Sequence, residues 1–297
     1  MQHIAYYSLR LVIGVFRFIP FPVLHLLSDG LAFLLFHVIG YRKKEVLESL
    51  RLSFPEKTEE ERLAIARRSY RNLTDVTLET IKEFTLPLDE VYRRCPSRNP
   101  ELLNQYLDQG RSVILCGSHY TNWEISGLTM PGDFHGATVT AYKPLTNKVI
   151  DGYMNQERAR GGMEMVRMEG LFGEIRKRRS EPTVFILVAD QSPSSHKSAH
   201  WVDFLGQDTA SLPGTDVLAR KFDYPVLYFN VQRLRRGYYQ VTFDLLCPTP
   251  SEVSEGDISR IYARHLEAII RAKPEGWLWS HKRWKLKREA QQRKQVA

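Results

Sequence analysis

Residues 112–124 read SVILCGSHYTNWE, and the fold turns on how this stretch is read. Ser112–Cys116 is a short apolar run. Bounded by a turn, such a run marks a strand buried on both faces. Gly117 and Ser118 supply the turn, and the stretch after Asn122 has helical character. The alternation continues downstream. ATVTAY (137–142) is a strand, 147–160 a helix, EMVRM (164–168) a strand and 171–179 a helix. TVFILVA (183–189) is the strongest strand of all, rich in β-branched residues. SLPGTDVLARKF (211–222) gives a loop and a helix. PVLYFNVQRL (225–234) and YYQVTFDLL (238–246) then face each other as a hairpin across Arg236-Gly237. Strands that alternate with helices predict an α/β fold, with a mixed, mostly parallel sheet flanked by helices and an antiparallel edge.

Upstream, residues 43–110 are helical in pattern. Thr58 followed by Glu59, Glu60 and Glu61 has the form of a capping box. The helix it opens runs towards Phe84, with Leu63, Ala66, Tyr70, Leu73, Leu78 and Ile81 at helical spacing. Asn99-Pro100 opens another helix, which stops at Gly110.

The first 41 residues differ in kind. Residues 4–41 carry very few charges and no small-residue cleavage site after a short apolar core, so they are not a removed signal peptide. Arg10 and Arg17 are seven apart and share a helical face, as in a helix lying in a membrane interface. Pro20 and Pro22 break the helix. The second piece, 22–41, is long enough to span a bilayer, yet it holds His25, Asp29 and His37, and a carboxylate in lipid is costly. The alternative is a helical pair buried in a soluble core. Membrane attachment is the favoured reading, by a single span or a re-entrant hairpin. Arg42, Lys43 and Lys44 follow at once and place the rest of the chain in the cytoplasm. This divides the chain into a membrane-anchoring helical segment, 1–42, and an α/β domain with a helical N-terminal part, 43–297.

The whole chain of 297 residues has a formal charge of +8, which favours an anionic partner. Anionic lipid or an acidic carrier protein fits; nucleic acid does not, since no recognised binding module is present. The tryptophan and basic cluster at 277–284 suits a lipid headgroup region instead, and SHKRWKLKREAQQRKQ reads as a basic tail. Cys95, Cys116 and Cys247 are scattered and odd in number, so neither a disulfide framework nor a zinc spacing can be built from them.

Ligands in open α/β sheets bind beyond the carboxyl ends of the strands. Two polar clusters lie at such ends: Ser118-His119 with Glu124, and Asp190-Gln191. In a parallel sheet both point to one rim. A histidine with a carboxylate can serve as a general base. Positions i and i+5 on one helix are about 140° apart. His119 and Glu124 therefore form a dyad only if His119 precedes the helix and Glu124 lies in its first turn. The bland alternative is a loop histidine and a glutamate favoured by the helix dipole. Ser118 is no nucleophile of the G-x-S-x-G kind. His196 and His200 lie in a Ser- and Pro-rich segment with no third ligand, and read as a mobile loop; no metal and no cofactor is expected.

The ordered set GSHYTNWE, YKPLTNKVIDGYMNQERAR, VADQSP, VDFLGQ, PGTDVLARKF and PEGWLWSHKRWK closely resembles the late acyltransferases of lipid A biosynthesis, within the wider H-x-x-x-x-D/E acyltransferases. The resemblance spans nearly the whole chain. It implies a fold like that of the glycerol-phosphate acyltransferases. It also implies a membrane-bound enzyme of lipopolysaccharide synthesis, at the cytoplasmic face of the cell inner membrane. Such an enzyme moves a fatty acyl chain, usually from acyl carrier protein (coenzyme A being the other thioester donor), onto a hydroxyl of a lipid A precursor. His119 and Glu124 match the catalytic pair, Asp190 and Gln191 the Asp-Gln block, and Arg158 and Arg160 the Arg-x-Arg. Tyr120 and Thr121 depart from the Phe-Gly often found inside the motif.

On this reading neutral His119 takes the acceptor proton while Glu124 orients it. Backbone N–H groups near 119–122 are candidate oxyanion donors. Arg158, Arg160, Arg167 and, more weakly, Lys143 are candidates for acceptor phosphates or carrier carboxylates. Asp190 and Gln191 support the acceptor sugar or the dyad's surroundings. Rival readings are an acyltransferase for another membrane lipid, such as a lysophospholipid or aminoacyl lipid, and a non-catalytic membrane scaffold.

Overall fold

The structure is a computed structural model that describes residues 2–196 and 199–288. Two helices come first, α1 (Gln2–Phe16) and α2 (Phe21–Phe33). The second continues through a π-turn at Leu34–Ile39 and stops at Gly40, whose φ of 67° is left-handed. Then follow α3 (Lys43–Ser53), α4 (Glu59–Glu83), α5 (Leu88–Arg94) and α6 (Glu101–Asp108). The predicted capping box at α4 is formed from both sides: Thr58 accepts from the Glu61 N–H, and Glu61 accepts from the Thr58 N–H.

The remaining elements alternate. They are β1 (Val113–Gly117), α7 (Trp123–Thr129), β2 (Ala137–Tyr142), α8 (Lys148–Ala159), β3 (Met163–Arg167), α9 (Leu171–Lys177) and β4 (Thr183–Val188). After these come β5 (His200–Phe204), β6 (Gln207–Ser211), α10 (Gly214–Phe222), β7 (Val226–Arg235), β8 (Tyr238–Cys247) and α11 (Asp257–Ala272). Six strands form one sheet in the order β3-β2-β4-β1-β7-β8, parallel except for the β7–β8 hairpin at its edge. This is the predicted α/β architecture.

β1 is central and buried along its whole length. Its residues alternate between two cores. Ile114 and Cys116 pack with Phe185, Val226 and Tyr228 on one face, while Val113 and Leu115 pack with Val184, Ile186 and Phe229 on the other. Burying one such side chain contributes about 1.5–3 kcal/mol, so helices are needed on both faces to realise it.

Three regions differ from the sequence reading. His200, read with His196 as part of a mobile loop, instead opens the β5–β6 hairpin (200–211), with its Nδ1 bound to Ser259 Oγ at 2.8 Å. α11 was not expected, although Ile258, Tyr262, Leu266 and Ile270 recur at four-residue spacing along its buried side. The third is the C-terminal segment. Trp277 and Trp279 are only 2% exposed and belong to the core, and Arg283 is buried as well. The tryptophans therefore do not form a headgroup belt. Residues 273–284 form a strap across the sheet rim, tied to the N-terminal helices by Arg42 to the Ser280 carbonyl (2.7 Å) and Lys282 to Glu45 (2.9 Å). The rest of the expected basic tail, 289–297, lies outside the described residues.

α2 with its π-turn gives a predominantly apolar helix of 19 residues, long enough by length and composition to cross a membrane. His25, Ser28 and Asp29 are engaged on its inner side, whereas His37 is exposed. Ser28 donates to Asp75 (2.6 Å), His25 Nε2 lies 2.9 Å from Glu79, and Arg236 clamps both Asp29 and Asp75. Val23, Leu26, Leu27, Phe33, Leu34, Val38 and Ile39 remain exposed, as do Ile4, Leu11, Val15 and Phe18 nearby in the chain. Such a run of exposed apolar residues marks an interaction surface.

Candidate active site

β1 ends where a side chain no longer fits. A Cβ on Gly117 would fall 2.1 Å from the Phe229 ring. The chain then turns tightly. Ser118 Oγ lies 2.7 Å from the Tyr228 hydroxyl, and Thr121 takes a left-handed φ of 45°. That conformation suits glycine, and a β-branched residue there is strained. Two bonds hold it: the Thr121 N–H to Gly276 O at 2.7 Å and the Thr121 hydroxyl to Val231 O at 2.6 Å. Asn122 caps α7 by accepting the Ile125 N–H at 3.1 Å. His119 thus stands on the turn and Glu124 in the first turn of α7, as a dyad would require.

The carboxylate that meets His119 is nevertheless Asp190. β4 lies beside β1 in parallel register, with Val188 level with Gly117, so Asp190 emerges at the same rim. Asp190 Oδ1 is 2.7 Å from His119 Nδ1, and Oδ2 accepts the His119 backbone N–H at 3.0 Å. Trp277 Nε1 donates to Oδ2 at 2.9 Å. Among the described residues no hydrogen bond joins His119 to Glu124. Glu124 is instead gripped by Arg158 through two bonds of 2.7 and 3.1 Å, from α8. Spacing alone carries no information about this exchange of partners, since Asp190 is 71 residues away.

Burial disfavours the imidazolium, yet the charge and hydrogen bond of Asp190, helped by the charge of Glu124, hold the His119 pKa above its ordinary value. Burial likewise opposes the Asp190 carboxylate, but His119 and the Trp277 donor keep its pKa below normal. On the far side of the ring, the Gln191 amide nitrogen is 3.2 Å from His119 Nε2. An amide NH₂ only donates, so Nε2 acts as acceptor and Nδ1 carries the proton to Asp190. The ring thereby presents a lone pair at Nε2. The next residue is pinned too: the Ser192 N–H donates to His281 Nε2 at 3.1 Å, and burial pushes the His281 pKa down to about 4.

Two spaces meet at His119. The larger is a cavity of about 340 Å³ whose apolar wall includes Met130, Met163, Met165, Ile186 and Phe229. His119, Glu124, Arg158, Gln191, Lys143 and Glu83 also line it. The smaller is a narrow cleft on the α4 side, bordered by Ser69, Asn72, Leu73 and Val76 of α4 and by the strap, and it too reaches His119 and Trp123.

The other predicted residues fare unevenly. Arg160 binds the Phe84 and Leu86 carbonyls and Glu157, which makes it a structural tie at the end of α4. Arg167 is exposed at the end of β3 and lines neither space. Three of the four expected oxyanion donors are occupied: the N–H of His119 by Asp190, of Tyr120 by the Ser118 carbonyl (2.8 Å), and of Thr121 by Gly276. Sequence reasoning missed the roles of Trp277, Asn122 and Glu83. A single indole in a basic tail and a glutamate inside a long helix gave no signal for them. Among the described residues, no group of three or more potential ligands is placed to hold a metal.

Residues 1–286 match the family described as bacterial lipid A biosynthesis acyltransferase. The lipid A biosynthesis lauroyltransferase of Escherichia coli K12 is 25% identical, with 97% of this chain and 95% of that protein covered. The palmitoleoyltransferase of the same organism is 23% identical, over 90% of this chain and 86% of its own. A lipid A biosynthesis acyltransferase of Haemophilus influenzae is 24% identical, over 94% and 91%.

Proposed function

The chain belongs to the bacterial lipid A biosynthesis acyltransferases, and on that premise we propose that it transfers a fatty acyl group from an acyl thioester to a hydroxyl of a lipid A precursor, with His119 as general base. The carrying observation is the ring of His119, fixed by Asp190 at Nδ1 and turned at Nε2 towards an apolar cavity, where the Gln191 amide holds the place that the acceptor hydroxyl takes. The acyl chain occupies the cavity and its thioester carbonyl lies at His119. Nε2 takes the proton of the acceptor hydroxyl as its oxygen bonds to the carbonyl carbon. The tetrahedral intermediate then collapses, the C–S bond breaks, and the sulfur leaves with the proton from Nε2. No covalent enzyme intermediate is needed.

Asp190 assumes the orienting role that the resemblance gave to Glu124, because it holds the tautomer and stabilises the imidazolium. Glu124 in turn positions Arg158, a cation lining the same cavity, to stabilise the developing oxyanion. Acyl carrier protein is the donor of this reading, and the net charge of +8 suits an acidic partner. The exposed apolar residues of α1 and α2 anchor the enzyme on the cytoplasmic face of the inner membrane, with 43–297 as the catalytic domain. Because the inner side of α2 is bonded to α4 along its length, the helix fits one leaflet better than an independent span.

The test is transfer by the detergent-solubilised enzyme, read by mass spectrometry of the glycolipid. The wild type adds one acyl chain to the precursor, and His119→Ala loses about a thousandfold or more in rate. Undiminished transfer by His119→Ala would sink the mechanism. Acylation of a lysophospholipid with the lipid A precursor untouched would replace the acceptor.

A further inference from the structure

The acceptor proposed above carries phosphate, yet two of the arginines that the sequence offers for it are spent. Arg158 holds Glu124, and Arg160 ties down the end of α4. A different cluster stands open. Arg67, Arg68 and Arg71 of α4 line a groove of about 260 Å³, closed on its other side by Phe33, Phe36 and His37 from the end of α2 and its π-turn. Asp29 also lines the groove, but Arg236 engages its two oxygens at 2.9 and 3.0 Å and Arg71 binds it at 2.8 Å. Arg67 has no ion pair among the described residues, and Arg68 meets Glu275 only at a loose 3.7 Å. Two guanidinium groups are thus available in a groove that Phe33, an exposed apolar residue, also lines. A phosphate monoester matches their planar forks, and a lipid phosphate matches their place at an apolar edge.

The helix that carries these arginines also borders the reacting centre. Ser69, Asn72, Leu73 and Val76 continue along α4 from these arginines and border the narrow cleft that ends at His119. From Arg68 to Val76 the helix rises about 12 Å, a span comparable with a disaccharide. We propose that the Arg67–Arg68–Arg71 groove binds a phosphate of the lipid A precursor and so holds the acceptor against α4, the helix that also borders the cleft at His119. This rests on the acyltransferase reading and adds to it the way the acceptor is held.

The test replaces Arg67 and Arg68 together with alanine and keeps Arg71, which is needed at Asp29. KM for the phosphorylated precursor is expected to rise at least tenfold while kcat stays within about twofold. Arg67→Lys with Arg68→Lys should recover part of the loss. With the precursor dephosphorylated, wild type and double variant should converge. Direct binding of the phosphorylated precursor to the His119→Ala protein provides a readout that needs no turnover, and the arginine changes should weaken it by the same factor. If His119→Ala still turns over, the mechanism fails, and the binding comparison still decides the groove. Equal KM and equal binding in wild type and variant overturn the proposal, as does a loss that persists with dephosphorylated precursor. A variant that loses binding to phosphatidylglycerol vesicles with its precursor KM unchanged also overturns it, by assigning the groove to the bilayer.

Discussion

Asp190 and Glu83 are both buried carboxyl groups close to the loop that carries His119, and they are held in opposite states. Asp190 receives three hydrogen bonds, from His119 Nδ1, the His119 N–H and Trp277, and remains an anion despite its burial. Glu83 receives one, from the Asn122 amide at 2.6 Å, and its Oε2 has no partner. With burial first and then the neighbouring Glu79 and Glu124 against it, its pKa is raised well above the ordinary range. The charge each carboxyl faces, together with its donors, thus decides which can stabilise an imidazolium and which stays neutral. Proximity to the histidine loop does not decide it.

The largest effect should come from Asp190→Asn. Turnover is expected to fall about 10³–10⁴-fold, as when the orienting carboxylate of a catalytic histidine is replaced. The pH profile checks the cause. His119 must be neutral to act, and Asp190 raises its pKa, so wild-type activity grows as pH rises through a value above about 6.5. In the variant this acidic limb should move to lower pH. A fall in rate with the limb unmoved would mean that Asp190 is only structural.

Glu124 and Arg158 test the other carboxylate near the ring. Each alanine variant should lose activity, and the double variant little more than the worse single. That corresponds to a coupling of about 1–3 kcal/mol in a double-mutant cycle. Additive losses would break the pairing of roles argued here and return Glu124 to His119. Trp277→Phe removes one donor from Asp190 while keeping most of the ring's packing. About a tenfold fall in kcat is expected, the cost of one hydrogen bond to a charged group.

The smallest effect is on stability. Glu83 is protonated when folded and ionised when unfolded over the interval from about pH 4.3 up to its raised folded value. Its contribution to stability is therefore whole below that interval and is lost as pH rises through it. Glu83→Gln, which cannot ionise, should be more stable than wild type by about 1 kcal/mol or more at pH 7–8, and indistinguishable near pH 4. Urea midpoints at the two pH values check this, and a destabilised variant at pH 8 would show that Glu83 is folded as an anion.

Much of this protein was legible from local pattern. The alternation from Ser112 onward, the strand strengths of 113–117 and 183–188, the break at Pro20–Pro22 and the capping box at Thr58 all rest on interactions between near neighbours in the chain. The common rim of His119 and Asp190 followed from parallel pairing alone. α11 was overlooked although its four-residue spacing is plain, and the strap at 273–284 read as a tail because its partners are far away in sequence. Asn72 of α4 reaches Gly276 across 204 positions, and Tyr120 packs onto the same glycine.

The sequence by itself determined that a histidine stands at the end of a buried strand, that a glutamate opens the next helix, and that an apolar segment precedes them. Those facts depend on spacing and periodicity, which short-range sterics and burial enforce. Only the tertiary structure decided which carboxylate each group would face. Asp190, Trp277 and Arg158 arrive from β4, the strap and α8, and their partners are chosen by where the sheet register and helix packing set those elements down. The GSHYTNWE stretch supplies a base and an anion; the fold gives the base to Asp190 and the anion to Arg158.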